Sequence, residues 1–116
     1  ARELEQRTRA LLAGFLNVVD DLDRAIEATR ALPHAPEVLS GIELVRRGLL
    51  AHLGQHGVAH VPALGEAFDA GRHEAMALVP VSDPAQDGRV VRVLREGYSI
   101  GEDTLRAAGV AVGKLA

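Results

Sequence analysis

The chain has 116 residues, 13 of them basic and 16 acidic, a formal charge of −3, and no cysteine. That balance argues against a nucleic-acid binder, which needs a basic face to neutralise phosphates. Missing cysteine excludes disulfides and thiolate metal sites. Hydrophobic residues make up 47% and aromatics only 3%, so Leu, Val, Ile and Ala must build the core. A domain of this size is marginal alone, and a core shared with a second copy would help it. No apolar run approaches the roughly 20 residues of a membrane span, so no membrane partner is expected. No leader peptide is expected in these residues either.

Residues 1–31 read as one helix, interrupted only by Gly14 and stopped by Pro33. A heptad fits them. Leu4, Leu11, Val18, Ala25 and Leu32 take one seam position; Thr8, Phe15, Leu22 and Thr29 take the other. From residue 12 a second apolar column flanks the seam: Leu12, Val19 and Ile26. A narrow stripe suits a paired stalk and a wide one suits a bundle. The pattern therefore predicts a stalk that enters a bundle near Leu11.

After the short connection "PHAPE" (33–37), a second helix is predicted over 37–56. Its apolar positions Val38, Ile42, Val45, Leu49 and Leu53 fall three or four apart. Gly57 looks like its left-handed cap. Gly41 and Gly48 share one face, which costs helix stability unless another backbone approaches there.

Beyond Gly57 the period changes to about two. Segments 58–64, 74–81, 89–96 and 104–112 are predicted strands. Residues 84–88 and 96–103 carry turn signals, and Pro80 suits a sheet edge. The expected class is α+β, with a helical dimerisation region at 1–57 and a compact β domain at 58–116.

Catalytic and ligand chemistry is sparse. "GVAVGK" (109–114) has the wrong glycine spacing for a phosphate loop, and Leu115 follows its lysine. His52, His56 and His60 are four apart, but Leu53 stands where a zinc protease needs Glu. His73 and Glu74 are adjacent, and adjacent strand residues face opposite ways, so they make a poor acid–base pair. Ser40, Ser82 and Ser99 lie in no nucleophile elbow. The chain reads as a binding protein and not an enzyme, with no metal and no cofactor.

Four separated stretches resemble the GrpE family. They are "FLNVVDDLDRAIE" (15–27), "GIEL" (41–44), "HGVAHVPALGEAFDAGRHEAM" (56–76) and "VVRVLREGYSIGEDTLRAAGVAVGK" (90–114). They occur in order over both halves. Ala70, Asp103, Ala107 and Gly109 depart from the family pattern, which has Pro, Arg, Pro and a larger residue, often Met, at those places. The Gly109 change is expected to loosen a contact surface.

The resemblance implies a homodimer with a paired-helix stalk, a four-helix bundle and one β domain per chain. It implies a co-chaperone of the stress response. This nucleotide exchange factor would bind the ATPase domain of a DnaK-type chaperone, open its cleft and release ADP. It places chaperone contacts at Arg24, Gly41, Leu94 and Val112. The dimer interface would take Leu4, Leu11, Phe15, Val18 and Leu22 from the first helix, and Ile42, Val45 and Leu49 from the second. Bacterial cytoplasm is the expected compartment, an organelle matrix the other. The competing expectation is a coiled-coil adaptor whose β domain binds another protein without driving exchange.

Overall fold

A computed structural model describes residues 2–33 and 35–116. The chain divides into two compact units, residues 1–56 and 57–116.

The first unit is a pair of helices, α1 (Arg2–Arg30) and α2 (Pro36–Gln55). Leu12, Leu16, Val19, Ile26 and Thr29 are the buried residues of α1. Their three-and-four spacing makes one face, and α2 packs on it through Leu53 and its half-buried neighbours. So the column read from sequence as flanking is the buried one within a single chain. Thr29 leaves the seam for this core, where its hydroxyl donates to the Ala25 carbonyl at 2.7 Å. Arg46 Nε donates to Asp23 Oδ1 at 2.6 Å and ties the helices together.

The helix ends follow local chemistry. α1 ends at Arg30, three residues before Pro33. Pro36 opens α2 in the first turn, where its missing N–H costs nothing. The His56 N–H closes the last turn on the Leu53 carbonyl at 3.0 Å, and Gly57 follows with φ of 87°.

The second unit holds six strands in two three-stranded sheets. One runs β1 (Val58–Val61), β4 (Gly97–Ile100), β5 (Asp103–Arg106), all antiparallel. The other runs β2 (His73–Val81), β6 (Ala108–Leu115), β3 (Val90–Arg95), with β2 parallel and β3 antiparallel to the central β6. Ala63, Val90, Ala108, Val110 and Val112 form its core, with Val93 packed against them. Pro80 falls on β2, an edge strand.

Two sequence expectations are corrected. Residues 97–100 are a central strand, not part of a turn; the turn is confined to Gly101 and Glu102, with Gly101 at φ of 58°. Gly97 is there for space. A Cβ on it would lie 2.7 Å from the Ala108 backbone nitrogen. The predicted strand 104–112 is two strands, broken at Ala107, where the chain leaves one sheet for the other.

Candidate protein-binding surfaces

On the helical unit, an apolar row stays uncovered. Leu4 is 69% exposed, Leu11 64%, Phe15 43% and Val18 44%, while Leu22 is half-buried. These are the heptad seam positions. Arg7 pairs with Glu3 at 2.9 Å and Arg9 with Glu5 at 3.2 Å, both exposed pairs on one helix. On α2, Val45 is exposed and Ile42 and Leu49 are half-buried. A row of large apolar side chains this long is unusual on a monomer's surface.

Gly41 and Gly48 have no atom within 4 Å of a would-be Cβ. Nothing within the single chain requires glycine at either place. Gly41 lines a shallow groove of about 520 Å³ with Pro36, Glu37, Ser40, Leu44 and Arg47. Arg24 is exposed and donates to Asp21, its neighbour one turn back.

On the β unit, Leu94 is 44% exposed. Val112 is 7% exposed and belongs to the core cluster. A partner on the surface would meet little of the Val112 side chain, which acts by holding β6 in place. Sequence reasoning passed over Met76, which is half-exposed at a bulge of β2. Its sulfur lies over Gly109, where a Cβ would collide with it. The only signal in the sequence was the glycine itself, standing where the family pattern has a larger residue.

Two histidines, His60 and His73, serve the structure of the β unit. His73 is buried while Glu74 is exposed. Its Nδ1 accepts the Asp69 backbone N–H at 3.1 Å, which fixes the turn before β2. His60 Nε2 lies 2.6 Å from Glu96 Oε2, and its ring meets the edge of Tyr98 at 5.5 Å. Arg106 donates to the Glu96 carbonyl from Nε and Nη2, at 3.1 and 2.7 Å, and covers Tyr98. Among the described residues no three His, Asp or Glu side chains gather where a metal ion could sit.

The arrangement thus offers surfaces rather than a cleft. The GrpE family model matches residues 2–114. The chain belongs to the GrpE family. "Protein GrpE" of Thermus thermophilus is 42% identical over 114 residues, covering 98% of this chain and 60% of that protein. "Protein GrpE" of Lactiplantibacillus plantarum is 39% identical over 104 residues, covering 90% and 52%. That of Parabacteroides distasonis is 32% identical over 103 residues, covering 89% and 53%. The chain spans between half and three-fifths of the length of these GrpE relatives.

Proposed function

We propose that this chain is a co-chaperone that binds the ATPase domain of a DnaK-type chaperone, opens its nucleotide cleft and accelerates ADP release. The observation that carries the reading is the GrpE match across both units, residues 2–114. The uncovered seam on α1 supports pairing with a second copy, and exposed Leu94 supports a contact on the β unit. The mechanism is mechanical: the protein stabilises an open chaperone and performs no bond chemistry of its own. The compartment is the cytoplasm of a bacterium, a reading supported by the bacterial sources of the relatives named above.

The energetics are modest. A thousandfold faster ADP release needs about 4 kcal/mol off its barrier. If the factor prefers the open chaperone, nucleotide must weaken factor binding by the same coupling. ATP should therefore dissociate the complex.

The test is stopped-flow release of a fluorescent ADP analogue from the chaperone, with and without this chain. Acceleration that saturates with concentration supports exchange. A folded dimer that binds the chaperone and leaves release unchanged would make the chain an adaptor instead.

A further inference from the structure

Arginines recur at an interval of three along β3 and the residue before it, in "RVVRVLR" (89–95). A regular strand would turn Arg92 to the face opposite Arg89 and Arg95. Two bulges prevent this. The pairing of β3 with β6 slips once between Val90 and Arg92 and again between Val93 and Arg95. Arg92 thereby pairs with Ala111 and Arg95 with Gly109. Arg89 lies opposite Gly113, whose N–H donates to the Arg89 carbonyl at 2.8 Å. Residues 109, 111 and 113 alternate by two on β6 and share one face. Their three arginine partners therefore project from that face too, away from the core of Val90, Val110 and Val112.

The ridge is poorly neutralised. Arg89 and Arg92 are exposed, and their side chains make no ion pair or hydrogen bond among the described residues. Arg95 is half-exposed, and its nearest carboxylate, Glu74, is 4.0 Å away. Of the acids near the strand, Glu66, whose carbonyl accepts the Val90 N–H, pairs with Arg72 at 3.8 Å, while Asp87 and Asp83 keep their charge and each give one oxygen to a backbone N–H, of Leu115 and Ala85. Leu94 and Val91 stand between the arginines. Three like charges gathered on one face of a chain of net charge −3 oppose the overall balance. They cost self-repulsion, and Arg89 and Arg92 gain no ion pair or hydrogen bond from their side chains among the described residues to offset it.

We propose that Arg89, Arg92 and Arg95 form a docking ridge for an acidic strip on a folded protein. Which protein rests on the reading above: the chaperone's ATPase domain. Charge complementarity names the occupant, and continuity with exposed Leu94 supplies the apolar centre beside it. The strip would present carboxylates over roughly 20 Å, the length of six strand residues. Nucleic acid fits less well. The ridge has no aromatic side chain on which a base could stack, and the whole chain repels phosphate. Arginine suits carboxylates because its fork makes two parallel hydrogen bonds to them.

The test compares wild type with the triple variant Arg89→Gln, Arg92→Gln, Arg95→Gln. Its fold is checked by circular dichroism and its assembly by light scattering. At 50 mM salt the triple variant should bind the chaperone at least about tenfold more weakly. Wild-type association should slow with added salt, and the variant's should respond much less. Arg→Lys at all three sites should restore most of the salt dependence. A triple variant with wild-type affinity and salt response, while wild type still accelerates ADP release, would overturn the ridge and leave the exchange reading intact. If wild type neither binds the chaperone nor accelerates release, the exchange reading falls. The ridge is then decided by a fluorescent decaglutamate probe at low salt. Binding by wild type and not by the variant supports it; equal or absent binding by both overturns it. A single-stranded DNA probe held more tightly than decaglutamate would overturn the choice of a protein partner.

Discussion

The Met76 side chain occupies the space above Gly109, so that any side chain at position 109 would have to move it. Gly109 and Met76 sit on neighbouring strands, β6 and β2, and the bulge at Met76 turns its thioether across the central strand. A larger residue at 109 and the Met76 side chain compete for one volume. The glycine does not leave a hole on this face, because methionine, with its flexible chain and polarisable sulfur, fills it. The expected loosening of the surface at Gly109 is therefore offset by Met76.

This makes a coupled prediction. Gly109→Met should destabilise the β unit by about 1–3 kcal/mol, the usual cost of overpacking. Adding Met76→Ala should recover a large part of that loss. Urea unfolding of the two single variants and the double gives the coupling energy. Additive losses would mean that the two side chains do not share the space.

Glycines in this chain serve different ends, and substitution should sort them. Gly54 lies in the last turns of α2 with open space around a would-be Cβ. Gly54→Ala should stabilise the helix by up to about 1 kcal/mol. Gly97 faces the Ala108 backbone, where a Cβ would lie 2.7 Å from nitrogen and 2.9 Å from the Ala108 Cβ. Backbone cannot rotate away as a side chain can. Gly97→Ala should cost about 3 kcal/mol or more, the upper end for overpacking. Thermal unfolding of both variants checks the contrast, and a neutral Gly97→Ala would show that the strands can part.

Gly97 also explains what was hard to read. Glycine followed by Tyr and Ser resembles a turn, yet here it marks the close approach of β4 to β6. Periodicity carries no record of such a meeting, which depends on residues 11 apart in sequence. The helices were easier, because a buried face repeats every three or four residues and leaves its trace in Leu12, Leu16, Val19 and Ile26. The bulges at Val91 and Leu94 left no trace of their own. Only the pairing with β6 shows that Arg92 joins Arg89 and Arg95 on one face. The resemblance placed Leu94 and Val112 alike at contact positions; Leu94 is exposed, whereas Val112 is buried in a cluster with Ala63 and Val90, which no local pattern records.

The Asp23–Arg46 bond is a charged link between the helices, at 2.6 Å with the two side chains 38% and 30% exposed. Solvent screens a pair at this exposure, so its worth is about 1 kcal/mol at most. A double-mutant cycle with Asp23→Asn and Arg46→Gln should give a coupling of that order at low salt. It should shrink in 1 M salt, where the screening length is only about 3 Å. A coupling unchanged by salt would point to geometry rather than charge.

The last prediction separates fold from assembly on a single helix. Phe15 and Leu16 are neighbours in sequence but point about 100° apart round the helix: Phe15 is 43% exposed and Leu16 is fully buried. Leu16→Ala opens a cavity inside one chain and should destabilise the helical unit by about 2–5 kcal/mol. Phe15→Glu touches nothing in that core. It places a charge in the seam with Leu11 and Val18, where a second copy would have to bury it. The expected result is a folded chain that sediments as a monomer. Circular dichroism should stay helical, and apparent stability should lose its dependence on protein concentration. Phe15→Glu that remains a dimer would move the contact off this seam and onto α2, where Val38, Leu44 and Val45 are also exposed.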